Sequence, residues 1–125
     1  MAVIDLTPET LDLVLYAGDG VRLPFEVTDV DENPVNLTGT IEAQIRDKRN
    51  EIDTAEAEFS VDMTDAAIGK FVISLTGTQT QALTTGLLDT VKKFKGFWDI
   101  QWTPSGSETR TICQGKVECG KDVTR

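Results

Sequence analysis

Asp29-x-Asp31-x-Asn33 has the spacing that opens a calcium-binding loop, in which carboxylate and amide oxygens at alternate positions surround a hard cation. The remaining positions do not follow. The sixth is Pro34, where such a loop turns on Gly, and the twelfth is Thr40, where it needs a bidentate Glu. The residues then read as turn formers, since Asp and Asn side chains hydrogen-bond their own backbone. Cys113 and Cys119 are the two thiols of the chain. On one continuous strand they face the same side, roughly 20 Å apart over six steps, beyond disulfide reach. A turn at Gly115 would bring them closer; two reduced thiols are expected. With no histidine in 125 residues, Ser–His and Cys–His nucleophile pairs are impossible, and zinc would have to rely on the two cysteines. Twenty-one acidic residues guarantee some carboxylate neighbours, but none forms a recognisable acid/base pair. Glu42, Glu56, Glu58 and Asp62 alternate with apolar residues, as on solvated strand faces. The expectation is a protein that is not an enzyme, with no cofactor and no metal.

The remaining candidates concern contact rather than reaction. Lys92-Lys93-Phe94-Lys95 is a basic cluster that would suit an acidic partner or a phosphate, and as a plain feature it is a solvated connection before a strand. Trp98 and Trp102 share parity with Ile100, so they are expected in the core rather than as a ligand platform. Phe97 shares the other face with Asp99 and Gln101 and is a candidate apolar contact. Val3, Ile4 and Leu6 give the opening residues an apolar character suited to pairing, either with the domain's own edge or with a neighbour; self-docking is expected. Asn36-Leu37-Thr38 matches a glycosylation acceptor, but Met1-Ala2-Val3-Ile4-Asp5 has neither the basic start nor the apolar core of a secretory signal.

The elements that must position these residues read as strands. Leu23, Phe25 and Val27 alternate with polar neighbours and Pro24; Ile41, Ala43 and Ile45 alternate with Glu42, Gln44 and Arg46. The same period of two runs through Ala57-Phe59-Val61, Phe71-Ile73-Leu75 and Trp98-Ile100-Trp102. Further strands are expected at Leu11–Tyr16, from Val35 and Leu37, and from Thr109 to about Val117. Pro24 lacks an amide donor, so its strand should have an unpaired edge or a bulge there. A short helix from Thr78 to Leu88, with Thr78 as N-cap, interrupts the pattern. Seven or eight strands at such spacing predict an all-β, immunoglobulin-like antiparallel β-sandwich with one short helix. Residues 1–10 form an N-terminal arm and 11–125 one domain.

The net charge of −9 does not favour a nucleic-acid backbone as partner, and no apolar run reaches bilayer length. Residues 1–69 carry sixteen acidic and four basic residues, hence −12; residues 70–125 carry five and eight, hence +3. A sandwich interleaves its halves, so this split need not divide the surface.

The segment PFEVTDVDENPVNLTGTIEAQIR joins an alternating strand, an Asp-rich turn, a Pro34-to-Gly39 step and a second alternating strand. It resembles the immunoglobulin-like sandwich of tailed-phage virion proteins, including the N-terminal domain of baseplate upper proteins and small structural proteins of actinobacteriophages. Gly69-Lys70-Phe71-Val72-Ile73-Ser74-Leu75, the Gln-Ala-Leu helix, Gly96-Phe97-Trp98-Asp99-Ile100-Gln101 and Gly115-Lys116-Val117 with Asp122-Val123-Thr124 extend the likeness over about residues 11–125. Where the family often has Asp-Gly before the Pro step, this chain has Glu32-Asn33, and Asn33 is expected to take the left-handed position. The resemblance implies a virion structural protein, made in the host cytoplasm. As the sequence ends at Arg125, without the long region that follows this domain in baseplate upper proteins, the expectation is decoration or reinforcement of the head exterior. Its partners would be the major capsid protein or other virion proteins, with a homo-oligomer expected and no nucleic acid or membrane. The alternatives are a tail, connector or baseplate component and, in another class, a carbohydrate-binding adhesion module. Val3, Ile4, Leu6, Phe97, Lys92 and Lys93 are the candidate interface.

Overall fold

The structure, a computed structural model, describes residues 2–4, 9–47, 56–85, 87 and 92–121, with backbone alone for 2–4. Its strands are β1 (Ala2–Ile4), β2 (Glu9–Thr10), β3 (Leu13–Tyr16), β4 (Val21–Val27), β5 (Thr40–Arg46), β6 (Ala57–Glu58), β7 (Ser60–Asp62), β8 (Lys70–Leu75), β9 (Lys93–Thr103) and β10 (Arg110–Gly120). A 3-10 turn at Ala66–Ile68 and one helix, α1 (Gly77–Thr85), complete the described elements.

Two sheets form the sandwich. One has the order β1-β4-β8-β7; the other runs β2-β10-β9-β5-β6, with β3 also paired to β10. The fold is all-β, as the alternation predicts. Antiparallel pairs make its centre, whereas β1, β2 and β3 join in parallel. Each lateral side of the sandwich is closed by a segment that changes sheets. On one side β1 pairs with β4, and β2 then pairs with β10. On the other, β6 pairs with β5 and β7 with β8, with Phe59 buried at the crossing. The Ala57-Phe59-Val61 run, one strand by its alternation, is therefore split between two sheets.

The core follows the parity of the strands. Phe25 and Val27 on β4, with Phe71, Ile73 and Leu75 on β8, face Ile41, Ala43, Ile45, Trp98, Ile100 and Trp102 of the other sheet. Phe25 stacks on Phe71 with centroids 5.3 Å apart and lies 6.4 Å from the Trp98 ring, which also meets Phe59 at 6.1 Å. Each indole N–H reaches a backbone carbonyl: Trp98 Nε1 donates to Leu11 O and Trp102 Nε1 to Thr38 O, both at 2.7 Å. These bonds let two large aromatics lie in the core without an orphaned donor. Among the described residues no helix is long and apolar enough to cross a membrane.

Local expectations are corrected in three places. Val35 and Leu37 do not start a strand. An isolated bridge joins Thr28 to Pro34, and Leu37 plugs the end of the core while its amide donates to Ala66 O at 2.9 Å. The helix cap lies two residues before Thr78, and α1 ends at Thr85. Thr76 caps it: Thr76 Oγ1 accepts from Gln79 N (3.1 Å), and Gln79 Oε1 accepts from Thr76 N (2.9 Å), a reciprocal capping box. The left-handed residue before the Pro step is Glu32, at φ 67°, rather than Asn33. The Asp29 carboxylate decides this by accepting from both Asp31 N and Asn33 N, which folds the turn around it. β10 is continuous through Gly115, so Cys113 and Cys119 sit on one strand.

Candidate functional site

The outward face of the six-stranded sheet sets aromatic, cationic, carboxylate and amide groups side by side. Register places Lys116, Phe97 and Arg46 side by side across β10, β9 and β5. The next row holds Gln114, Asp99 and Gln44, with Glu58 beyond on β6. Gln44 links the row in both directions: its Nε2 donates to Glu58 Oε1 at 3.3 Å, and its Oε1 accepts from Arg46 Nη2. Phe97 is half-buried and borders two small depressions. One, of about 70 Å³, has Asp99, Gln44 and Gln114 in its lining; the other, of about 230 Å³, has Lys95, Lys116 and Glu118. Partial burial pushes the Asp99 carboxyl above the usual range, and the nearby Arg46 guanidinium opposes that shift. This arrangement can present an aromatic ring amid charges to another surface. Among the described residues, no group of three or more His, Cys, Asp or Glu could hold a metal.

The structure separates the candidate interface residues. Phe97 lies on this outward face, as its parity predicts. Lys92 and Lys93 are exposed at the start of β9, and Lys93 Nζ pairs with Glu118 Oε2 at 3.1 Å. Val3 and Ile4 lie on β1, in register with Glu26 and Val27, so the arm docks on its own domain. Leu6 falls outside the described residues. Trp98 and Trp102 are buried, which leaves the carbohydrate-binding reading without the aromatic platform on which it rests. Cys113 and Cys119 are free and buried. Burial first, and the nearby Glu9 charge second, push the Cys113 thiol up to about 11; burial and Asp19 raise Cys119 as well. Both are poor nucleophiles in this setting, since the thiolate is the reactive form.

Periodicity did not single out Val14 and Tyr16. Both are exposed on the outward side of β3, at 64% and 59%. The signal in the sequence is the unbroken apolar run Leu13-Val14-Leu15-Tyr16, in which the residues between the core positions are not polar.

The Pro34-to-Gly39 step has a clear structural task. Thr38 takes the Trp102 indole on its carbonyl and the Ser105 amide on its hydroxyl (3.2 Å). Gly39 follows at φ 78°, directly against the backbone of Thr103, Pro104 and Ser105. The step therefore pins the β4–β5 connection to the β9–β10 hairpin. Asn36 is exposed beside it.

No family model matches the chain, and no curated protein matches it. Among solved structures it is similar to the N-terminal domain of phage TP901-1 ORF48, at 13% identity and a TM-score of 0.46, over 97% of this chain and 95% of that one. It is also similar to the Listeria monocytogenes internalin-like protein lmo2027, at 9% identity and a TM-score of 0.40, over 92% of this chain and 28% of that one.

Proposed function

We propose that this chain is a non-enzymatic structural protein of a tailed-phage virion that binds and reinforces the exterior of the head. The observation that carries the reading is the Pro34-to-Gly39 step. It is the part of the sequence that most resembles phage immunoglobulin-like sandwiches, and here it locks two loops of a sandwich together instead of lining a reactive cleft. The surface agrees in character. Its net charge of −9 suits the outside of a shell better than contact with packaged DNA. Its outward sheet face offers an aromatic among charged groups, as protein contact surfaces do. Repeated by the symmetry of a lattice, weak contacts of this kind add through avidity.

Localisation in intact particles tests the proposal. Labelled protein, or its density in a reconstruction, is expected across the head in hundreds of copies, set by the lattice. Density confined to the tail tip, with a few to some tens of copies, overturns the head assignment. It would support a tail or baseplate component instead, the reading to which the resemblance of residues 24–46 to baseplate upper proteins also lends weight. Absence from purified particles would remove the virion role altogether.

A further inference from the structure

The outward face of the six-stranded sheet is cationic at one end and acidic at the other. Register sets Lys93 opposite Gly120, Lys95 opposite Glu118, and Phe97 between Lys116 and Arg46. Two residues further along β9 stands Asp99, in a row with Glu58, and the row after it holds Glu42. At the cationic end the acids are already engaged. Glu118 is tied to Lys93 at 3.1 Å, and the Asp12 carboxylate accepts from the Lys116 amide at 2.9 Å. The ammonium groups of Lys95 and Lys116 are exposed and, among the described residues, have no carboxylate partner. Both border the depression of about 230 Å³, whose lining also includes Gly96, Val117 and the Phe97 ring. Exposed apolar surface continues beside it, since Val14 lies opposite Glu118 and Tyr16 opposite Gly120.

We propose that this end of the face seats an acidic segment of another protein, an extended stretch in which carboxylates flank one apolar side chain. Such an occupant rests on the reading of the chain as a virion contact protein and specifies what it contacts. Charge complementarity selects it. A chain with twenty-one acidic and twelve basic residues nonetheless leaves two lysines unpaired beside an apolar hollow. Carboxylates brought to Lys95 and Lys116 gain a partner there, while Phe97, Val14 and Tyr16 supply the apolar and aromatic contact usual at the centre of protein interfaces. The net −9 does not override this local preference. At physiological salt the Debye length is about 8 Å, so a carboxylate touching these lysines is screened from acids farther away. The size of the patch sets the length of the segment. From Lys93 to Phe97 is four steps, roughly 13 Å, the span of about five extended residues. Alternate residues of such a segment face the sheet about 6.6 Å apart, the same spacing as the rows of Lys95 and Phe97. A longer polyanion, a nucleic-acid strand included, would run on to Asp99, Glu58 and Glu42 and meet like charge.

Nuclear magnetic resonance of the isotope-labelled full chain tests the seat with a capped peptide, Asp-Ser-Leu-Ser-Glu, whose alternate residues carry the proposed pattern. Amide shifts are expected to move at residues 95–97 and 116–118 and to saturate with a dissociation constant on the order of 1 mM. The analogue Asn-Ser-Leu-Ser-Gln, without charge, and Asp-Ser-Ser-Ser-Glu, without the apolar centre, should each bind about tenfold more weakly. Lys95→Glu and Lys116→Glu should each cost roughly fivefold or more in affinity. Both side chains are exposed, so the thermal melts should stay close to wild type. Lys70→Glu, on the other sheet, makes the same change in net charge and should leave affinity within about twofold. No shift at these residues overturns the proposal, as does equal binding of the uncharged analogue, or a loss with Lys70→Glu as large as with Lys95→Glu. So does a short oligothymidylate that moves the same amides more strongly than the peptide, which would make the face a nucleic-acid surface. A chain found on the head but silent to the peptide keeps the virion reading and ends this one; a chain absent from particles that binds the peptide does the reverse.

Discussion

Gly39 is held by two constraints. Its φ of 78° lies in the left-handed region, and an added Cβ would run into the Thr103 carbonyl oxygen and the Ser105 amide. Gly106 has nearly the same φ, 77°, with open space around it. The pair separates conformational cost from collision. Gly106→Ala should lose about 1 kcal/mol, the cost of a side chain in the left-handed region. Gly39→Ala should lose roughly 3 kcal/mol or more, because the backbone of the β9–β10 hairpin must also shift. Urea denaturation of both variants measures the difference, and equal losses would show that the contact with the hairpin is slack. The cysteines give a prediction in pH. Burial raises the Cys113 thiol from 9.0 to about 11, so between these values the unfolded chain releases a proton that the folded chain keeps. The unfolded state then binds fewer protons, and stability falls as pH rises. The stabilising contribution is complete below about pH 9 and disappears as pH rises through about 11. Cys113→Ser removes the thiol and should flatten that part of the profile. A thiol reagent at pH 8 should label both cysteines only as fast as the native chain opens.

At the scale of elements, the capping box at Thr76 and Gln79 sets where α1 begins. Thr76→Ala removes the acceptor for Gln79 N and should cost about 1 kcal/mol. Thr78→Ala, inside the first turn, should be close to neutral; the reverse order in thermal melts would return the cap to Thr78. The misplacement has a physical origin, since Gly77 is a poor helix residue and hides the true start. Strand identity was legible wherever one face is buried, because Phe71-Ile73-Leu75 and Trp98-Ile100-Trp102 can be satisfied only by period-two burial. What the alternation could not carry is which sheet a strand joins. Ala57-Phe59-Val61 keeps its parity while crossing between sheets, and the arm pairs in parallel, a choice fixed by contacts remote in sequence. Leu37 is buried without being in a strand, so its apolar character misled in the same way. The candidate interface was legible at Phe97, where parity alone predicts an outward face. It was not legible at Val14 and Tyr16, because a continuous apolar run reads equally as a strand buried on both faces.

For the whole molecule, the division of charge along the sequence becomes a set of stripes. β8, with Lys70, lies between β4, which carries Arg22 and Glu26, and β7, which carries Asp62. Lys93, Lys95 and Lys116 ride on β9 and β10, in the same sheet as Glu42 and Glu58 on β5 and β6. The first 69 residues and the remainder are thus interleaved, and the net −9 is distributed rather than polar. The Lys93–Glu118 pair is exposed on both sides and is worth at most about 1 kcal/mol. Self-repulsion should therefore dominate the response to salt. Sodium chloride raised from a few millimolar to about 0.1 M shortens the Debye length to about 10 Å, which screens carboxylates spread over the surface more than a contact pair. The melting temperature should rise across that range and then level off. Lys93→Gln, which deletes the contact pair and makes the net charge one unit more negative, should steepen the rise. A melting temperature that falls with added salt would mean that attraction between the stripes, rather than net charge, governs the electrostatics of the fold.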